Sequence, residues 1–298
     1  MDNGFVLAGI RPLPAPRCEK ETWYKGRPVL SFCLFFLIAA GCLFCEAFIP
    51  KDPTFMDFYH ANTAPNSEFW FGTDTMGRDI FSMIWYGGRI SLLIGLLGAG
   101  ISAFIGILLG AVSGLGPEWL DGLLMRFTEL FLSIPNLLLV LLLQAFLGEA
   151  DVWSLSFVIG VTSWTNIAKV VRTEVRQLRG CEYVIAARCA GAGFFRIVFI
   201  HLLPNFFASI LFMAVMNIRS AVSAEAALSF LGLGLPLEVI SWGSMLSLSE
   251  QAFLSGLWWL ILIPGVFLVM TLLCITNIGN YIRKGKSQTV SPQSPHLR

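Results

Sequence analysis

The stretch SLLIGLLGAGISAFIGILLGAVSG, residues 91–114, decides the fold class of this chain, because it is long, apolar and free of charged residues. A helix rises about 1.5 Å per residue, so about 20 apolar residues cross the bilayer core of about 30 Å. The composition of the 298 residues agrees: 56% are hydrophobic and 13% are charged, with a mean hydropathy of +0.73. Soluble domains carry about 25% charged residues. Residues 91–114 therefore predict a transmembrane helix.

Further apolar stretches lie on both sides of this helix. Four of them reach or approach the length of a span: residues 29–49, 130–148, 152–168 and 257–278. A sixth stretch, residues 206–228, has a polar end, because three polar side chains interrupt it: Asn217, Arg219 and Glu225. The sequence therefore predicts an all-α, polytopic membrane protein with six transmembrane helices.

The positive charges indicate how these spans are oriented. If the N-terminus is cytoplasmic, sixteen of the 20 Lys and Arg residues fall in the inner segments. The other four fall in the outer segments: Lys51, Arg78, Arg89 and Arg219. Positive charge is retained on the cytoplasmic side of membrane proteins. We therefore expect both termini to be cytoplasmic and residues 169–205 to form the longest cytoplasmic loop.

This topology divides the chain into segments. They are a cytoplasmic N-terminal arm (1–28), the first transmembrane helix (29–49), an extracytoplasmic loop (50–89), a five-helix core with the cytoplasmic loop inside it (90–284) and a cytoplasmic tail (285–298).

The sequence lacks the motifs of common catalytic sites. The patterns H-E-x-x-H, G-x-x-x-x-G-K-[ST] and G-x-S-x-G are absent. Cys42 and Cys45 form a C-x-x-C pair, but no second Cys or His pair accompanies it, and on a membrane helix such residues act as small apolar fillers. We therefore expect no enzyme, no catalytic residue and no bound metal.

The predicted loop over residues 169–205 has a helical pattern although it is less apolar than the spans. Four cations recur at steps of three and four and so share one helix face: Lys169, Arg172, Arg176 and Arg179. This spacing predicts one helix over residues 169–190. The small residues 191–193 permit a sharp turn after it. Residues 194–201 can form a second short helix, which Pro204 ends.

The stretch EYVIAARCAGAGFFRIVFIHLLPN, residues 182–205, resembles the cytoplasmic loop of permease subunits in ATP-binding-cassette (ABC) importers. The family pattern is Glu-Ala-Ala, three residues, Gly, and then nine residues before an apolar-x-Leu-Pro ending. Three residues match the first part, Ala186, Ala187 and Gly191, and Leu203-Pro204 matches the end. Ile185 replaces the Glu and His201 replaces the aliphatic residue, which is the form of the peptide and nickel branch.

Two more stretches resemble the same branch. FGTDTMGRDIFSMIWYGGRISLLIG, residues 71–95, is similar to its outer loop and second-span entry, and AEAALSFLGLG, residues 224–234, to the segment before its last span. In the first stretch two glycines fit turns and two aspartates can cap the following helix and pair with Arg78 and Arg89. The chain is most similar to the second permease of the heterodimeric dipeptide, oligopeptide and nickel permeases.

The resemblance implies the fold of a type I ABC importer permease. Such a chain forms half of a solute pathway with a second homologous permease subunit, and its cytoplasmic loop docks as a coupling helix on one of two ABC ATPase subunits. Those subunits bind ATP and Mg²⁺, and this chain binds no cofactor itself. The further partners are an extracytoplasmic substrate-binding protein and the lipid bilayer, with no nucleic acid. The implied location is the cytoplasmic membrane of a bacterium or archaeon.

The resemblance also implies site residues. The expected ATPase-docking residues are Glu182, Tyr183, Ala186, Ala187, Arg188, Gly191 and Ala192. The loop-ending motif is His201, Pro204 and Asn205, and the outer-loop motif is Gly72, Asp74, Gly77, Arg78 and Asp79. Arg188 and Arg196 can pair with acids of the ATPase or can neutralise Glu182, and both alternatives stay open.

The substrate is less well defined by the sequence. Di- and oligopeptides are the first expectation, and nickel or a metal–chelator complex is the alternative. Glu225 is an ionisable residue inside a span, which indicates a place in the pathway. The alternative for Glu225 is an interfacial acid that pairs with Arg219. A membrane-embedded enzyme or a channel remains a further alternative for the whole chain.

The predicted topology can be tested by labelling single cysteines in intact cells, in a background without the native cysteines. We expect an impermeant thiol reagent to modify a cysteine at Pro65, which lies in the predicted outer loop, and not one at Gln177, which lies in the predicted cytoplasmic loop. Permeabilised cells are the control, because both positions should then react. Labelling of position 177 from outside intact cells contradicts the topology.

Overall fold

The structure, a computed structural model, describes residues 28–49, 51–236, 238–253 and 256–289. The predicted N-terminal arm, apart from Pro28, and residues 290–298 of the predicted tail lie outside this part of the chain. The helices within it are α1 (Val29–Leu43), α2 (Ile80–Leu115), α3 (Glu118–Ser133), α4 (Asn136–Leu147), α5 (Val152–Thr162), α6 (Thr165–Leu178), α7 (Glu182–Cys189), α8 (Phe194–Arg196), α9 (Leu203–Phe230), α10 (Trp242–Phe253) and α11 (Trp259–Thr289). A π-helical turn, Ile197–Leu202, joins α8 to α9. The described residues contain no β-strand, and the all-α prediction is confirmed.

The apolar helices account for the predicted spans. Three continuous helical segments are long and apolar enough to cross a bilayer: Ile80–Leu115, Phe194–Phe230 and Trp259–Arg283. Two bent pairs, α3 with α4 and α5 with α6, pass the same test when each is taken as one span. The remaining apolar helix, α1, is shorter, with 15 residues. Each of the six predicted stretches therefore overlaps one of these helices or pairs, and the chain is a multi-pass membrane protein.

The third predicted span is not one straight helix. Residues 130–148 contain a break at Ile134 and Pro135, where α3 and α4 meet at an angle of 93°. Proline has no backbone N–H and disfavours a helical residue before it. Ile134 accordingly has an extended backbone, with φ −97° and ψ 130°. The apolar composition of 130–148 was a correct signal for membrane burial, but Pro135 divides the segment.

The helix α2 begins earlier than the sequence indicated. The predicted outer loop, residues 50–89, ends instead at Asp79, whose carboxylate accepts a hydrogen bond from the Ser82 backbone N–H at 3.0 Å. A carboxylate at this position satisfies one of the free N–H groups of the first turn. Residues 80–89 therefore belong to α2, which extends to Leu115 and passes through the middle of the helix bundle.

Glycines on α2 allow two other helices to approach it closely. A Cβ atom added at Gly106 would lie 2.7 Å from Ile167 Cβ, and one added at Gly114 would lie 2.6 Å from Val175 Cγ1. Both neighbours are on α6. Near the other end, a Cβ at Gly95 would lie 2.6 Å from Val222 Cγ2 on α9. Helices in membranes associate through such small-residue faces, so α2 is the helix on which the others pack.

Three buried apolar clusters hold the bundle together. One joins α1, α2, α10 and α11, and another joins α2, α4, α5 and α9. The remaining cluster lies at the other end of α2 and contains Val171 and Val175 of α6, Val184 of α7 and Val198 of the π-helical turn. This last cluster fixes the position of α7 relative to the membrane helices.

The packing of α2 on α6 can be tested with a matched pair of substitutions. In Gly110→Ala the new Cβ would lie 2.6 Å from the Ala168 carbonyl oxygen and 2.8 Å from Val171 Cβ, whereas at Gly100 there is nothing within 4 Å. Overpacking costs about 1–3 kcal/mol, and replacing a helical Gly by Ala in open space gains up to about 1 kcal/mol. We expect Gly110→Ala to lower the thermal unfolding midpoint of the purified chain in detergent and Gly100→Ala to leave it equal or higher. Equal midpoints for both variants would contradict this packing role.

Candidate functional site

The segment that resembles a coupling loop begins with a break that the sequence analysis did not predict. Residues 169–190 are not one helix, because α6 ends at Leu178 and α7 begins at Glu182. Cys181 is extended, with ψ 143°, and its N–H donates to the Leu178 carbonyl at 3.0 Å. Gly180 precedes it, and glycine disfavours a helix interior by about 1 kcal/mol. The break turns α7 away from the direction of α6.

One buried side chain anchors α7. Val184 has no exposed surface and packs with Val175, Ile197 and Leu202. The side chains next to it point the other way, since Tyr183 is 41% exposed and Ile185 is 49% exposed. Ala186 is also exposed. The helix is therefore attached to the bundle along one face and presents small and apolar side chains on another.

The turn after α7 is a Schellman motif centred on Gly191. The Gly191 N–H donates to the Arg188 carbonyl at 2.9 Å, and the Ala192 N–H donates to the Ala187 carbonyl at 3.0 Å. Gly191 has a φ of +78°, a left-handed conformation that glycine adopts without strain. A Cβ at this position would meet nothing within 4 Å. Glycine is needed here for its backbone conformation, and the space around it is free for another molecule.

The chain continues from this turn into the membrane without a stop at Pro204. The predicted end of the second short helix is therefore wrong, since helical structure extends from Phe194 to Phe230, although the backbone of Phe206 is not helical (φ −116°, ψ 15°) and marks a kink two residues after Pro204. Pro204 lies in the first turn of α9, after the π-helical turn, where the Leu203 N–H donates to the Val198 carbonyl. Proline is tolerated in the first turn of a helix. Asn205 donates its side-chain N–H to the His201 carbonyl at 2.6 Å, so the ending motif is part of this junction.

The charged side chains of the predicted docking segment are not paired with each other. Glu182, Arg188 and Arg196 are all exposed, and no ion pair joins them within the described residues. The alternative in which the two arginines neutralise Glu182 is therefore not what the structure shows. Their charges are presented to the surroundings of α7.

An aspartate that the sequence analysis did not single out pairs with two of the four cations on the basic face of α6. Asp121 of α3 accepts hydrogen bonds from Arg172 Nε at 2.5 Å and Nη2 at 2.7 Å, from Arg176 Nη2 at 2.8 Å and from the Ser113 hydroxyl. Arg179 donates to the Gly114 carbonyl at 3.3 Å. These contacts brace α2, α3 and α6 together. The regular spacing of the cations predicted that they share one helix face, but it did not indicate that the buried Asp121 packs against this face.

The outer-loop motif forms a compact turn before α2. Asp74 pairs with Arg78, with 2.7 Å between Oδ2 and Nε, and both side chains are buried. Gly72 and Gly77 have positive φ values, as turn glycines do, and a Cβ at Gly77 would lie 1.8 Å from the Asp57 carbonyl oxygen. The expected turns, the Asp79 cap and the Asp74–Arg78 pair are thus present in the structure.

Two expected contacts of this loop are wrong. Asp74 does not cap α2, because its Oδ1 accepts hydrogen bonds from the Met76 and Arg78 backbone N–H groups within the preceding turn. Arg89 does not pair with Asp74 or Asp79, because its Nη1 lies 2.7 Å from Glu46 Oε1. Arg89 lies on α2 beyond the capped first turn, and its partner follows α1.

Glu225 is placed differently from the expectation that it pairs with Arg219. Its side chain has no exposed surface and accepts hydrogen bonds from Ser91 Oγ at 2.9 Å, Ser229 Oγ at 3.1 Å and Ser241 Oγ at 2.7 Å. Burial without a cation is tolerated because these hydroxyl groups satisfy the carboxylate. The cluster joins α2, α9 and the start of α10. A place for Glu225 in the pathway stays a prediction, since the carboxylate is enclosed in this structure.

Comparison with known proteins agrees with the fold and the site. Residues 106–287 match the family described as "Binding-protein-dependent transport system inner membrane component". The chain is 38% identical to a putative peptide permease protein of Brucella suis biovar 1, over 91% of this chain and 89% of that protein. It is 34% identical to the oligopeptide transport system permease protein OppC of Bacillus subtilis, over 86% of this chain and 83% of that protein.

A solved structure shows the same fold. A chain of the MetNI methionine ABC transporter in an inward-facing conformation superposes with a TM-score of 0.55 and 18% sequence identity. The match covers 68% of this chain and 95% of that chain. At this identity the likeness establishes the fold alone, which agrees with the predicted type I importer permease architecture.

The bracing role of Asp121 can be tested by removing its charge. We expect Asp121→Asn to cost about 1.5–3 kcal/mol of stability, because hydrogen bonds to charged groups contribute about that much and both arginines would lose a charged acceptor. Thermal unfolding of the purified chain in detergent measures the effect. Glu118→Gln is the matched control, since Glu118 is exposed in the first turn of the same helix. A midpoint for Asp121→Asn equal to that of the control would show that the cluster does not stabilise the bundle.

Proposed function

This chain belongs to the family of inner membrane components of binding-protein-dependent transport systems, and we propose that it is the permease subunit of an ABC importer for di- and oligopeptides. The observation that carries the proposal is similarity along most of the chain to relatives named as peptide permeases. One of them, the dipeptide transport system permease protein DppC of Bacillus subtilis, is 37% identical over 74% of this chain and 68% of that protein. The relatives reported above are named for peptides, so the nickel alternative is not favoured. A membrane enzyme or channel has no such support.

We propose that α7 and the turn at Gly191 are the docking element for an ATPase subunit. Two features support this. The exposed face of α7 carries Tyr183, Ile185 and Ala186, which offer apolar contact area with little side-chain bulk at the alanine. The exposed Arg188 and Arg196 remain available for acidic groups on the partner. Apolar contacts at the centre and charges at the edge are the usual composition of a protein interface.

The attachment of α7 suits the transmission of movement to the membrane helices. Val184 packs in one cluster with residues of α2, α6 and the start of α9. A displacement of α7 by a partner therefore cannot be absorbed by α7 alone, because close-packed clusters move as units. We propose that closure of the ATPase subunits moves α7 and thereby rotates the membrane helices as rigid bodies.

The complete transporter in this proposal contains further subunits. They are a second homologous permease, two ABC ATPase subunits that bind ATP and Mg²⁺, and an extracytoplasmic substrate-binding protein. The chain itself binds no cofactor. Its N-terminus, its C-terminus and α7 lie on the cytoplasmic side of a bacterial or archaeal membrane, in agreement with the distribution of Lys and Arg.

The docking proposal can be tested at the Schellman turn. We expect Gly191→Arg to weaken binding of the ATPase subunit about a hundredfold, because an uncompensated charge buried in an interface costs about 3 kcal/mol or more. Gly191→Ala shows how much of the effect comes from the left-handed backbone conformation alone, because alanine adds neither the length nor the charge of the arginine side chain. A left-handed conformation costs a non-glycine residue about 1–2 kcal/mol, so this variant should be intermediate. Pull-down of the ATPase subunit and peptide uptake are measured for both variants.

The matched control is Gly180→Arg. Gly180 is exposed, has open space around it and lies in the other turn that flanks α7. It is not among the expected docking residues, so this variant should bind the ATPase subunit as the wild type does. If Gly191→Arg binds and transports as well as Gly180→Arg, α7 and its turn are not the docking element.

A further inference from the structure

Arg219 is a cation inside a membrane helix for which the bundle provides no counter-charge. It lies on α9, about 24 Å from the first residue of the helix and about 16 Å from the last at about 1.5 Å per residue. Its neighbour on the helix, Ile218, packs close to Gly95 of α2, well inside the apolar part of both helices. Arg219 Nε is buried and has no hydrogen-bond partner. No ion pair of Arg219 exists in the part of the chain that the structure describes.

The nearest acid along the helix does not serve as its partner. Glu225 already accepts three hydroxyl hydrogen bonds and is enclosed between α2, α9 and α10. Six residues on an α-helix correspond to about 120° of rotation and about 9 Å of rise. The two side chains therefore leave α9 on different faces. Among the described residues, no acid therefore supplies a counter-charge for Arg219.

Polar side chains next to Arg219 indicate that this face of α9 does not contact lipid. Ser220 and Ser223 are both exposed, although they lie within a membrane helix. Ser223 is four residues from Arg219 and three from Ser220, so the three side chains are neighbours on the helix surface. An Arg exposed to acyl chains is strongly unfavourable, and ionisable residues in spans face a water-filled cavity or another protein. The polar patch formed by Arg219, Ser220 and Ser223 therefore requires polar surroundings.

We propose that this polar patch lines the solute pathway and that the Arg219 guanidinium binds the α-carboxylate of the transported peptide. The proposal rests on the proposed function as a peptide permease. A guanidinium presents a planar pair of N–H donors that matches the two oxygens of a carboxylate. Every linear peptide with a free C-terminus carries one such group, whatever its side chains. One cation in the pathway can thus recognise many peptides, and the adjacent hydroxyl groups can bond the peptide backbone.

The test uses the assembled transporter in proteoliposomes with its ATPase subunits, second permease and binding protein. Uptake is measured for a labelled peptide with a free C-terminus and for its C-terminal amide, chosen so that the purified binding protein retains both. The variants are Arg219→Met, which keeps the length of the side chain without its charge, and Arg219→Lys. Arg126→Met is the control, because Arg126 is an exposed cation on an apolar helix pair, outside the polar patch.

We expect Arg219→Met to lower uptake of the free-acid peptide about tenfold to a hundredfold, since it removes a charge-assisted hydrogen bond, and to leave uptake of the amide nearly unchanged. The binding protein is the same in every assay, so its own preference cancels when each variant is compared with the wild type. Arg219→Lys should keep part of the discrimination, and Arg126→Met all of it.

Three other results overturn the proposal. An equal loss for both peptides indicates a structural role for Arg219. An unchanged ratio with normal uptake shows that no carboxylate binds there. Loss of the second permease on purification of Arg219→Met shows that Arg219 pairs with an acid of that subunit. If the wild-type transporter takes up neither peptide, the proposed function itself fails, and this outcome is visible before any variant is compared.

Discussion

The structure depends on the close approach of α6 and α9 to the glycine face of α2. Helices in a bilayer gain little from apolar burial against each other, because lipid is as apolar as their side chains, so their association depends on close packing and polar contacts. Along α2, Gly95, Gly106 and Gly114 leave no space for even one additional carbon atom. The buried apolar clusters on both sides of these contacts include residues of α2, and the cluster at its end near Gly114 also holds α7, which lies outside the apolar helices.

This packing connects the exposed turn at Gly191 to the centre of the bundle. The segment after α6 leaves the helical conformation at Cys181 and turns at Gly191, and its residues Val184 and Val198 belong to the same apolar cluster. The π-helical turn that follows admits Pro204, and helical structure extends from Phe194 to Phe230 with a kink at Phe206. A surface element and a membrane helix are thus parts of one packed unit. Such an arrangement is required of any element that transfers movement from a soluble partner into the membrane.

The sequence predicted those features that one helix or one turn decides by itself. Spans follow from length and apolar composition, since only a helix satisfies its own backbone groups in lipid. The turns at Gly77 and Gly191 and the cap at Asp79 also follow from local chemistry. Pro135 also indicates a helix break by local chemistry, but residues 130–148 were predicted as one span because the residues around Pro135 are apolar. Contacts between distant segments could not be predicted from the sequence: Asp121 is 51 residues from Arg172, and Arg89 is 43 residues from Glu46. No periodicity indicates which acid meets which base across a bundle.

The arginines fall into two groups: those that bond to other residues of the bundle, and those that have no partner among the described residues. By count, the segment from residue 169 to 205 is strongly basic, which suggests a surface for any acidic partner. In the structure, Arg172 and Arg176 are neutralised by Asp121, and Arg179 donates to a backbone carbonyl. Buried or partly buried pairs of this kind define how helices fit together and offer no charge to a partner. Among the described cations from residue 169 to residue 219, those without an ion pair or a side-chain hydrogen bond are Lys169 on α6, Arg188 on α7, Arg196 on α8 and Arg219 inside α9. Under the proposed function, Arg188 and Arg196 face an ATPase subunit, and Arg219 binds the carboxylate of the solute.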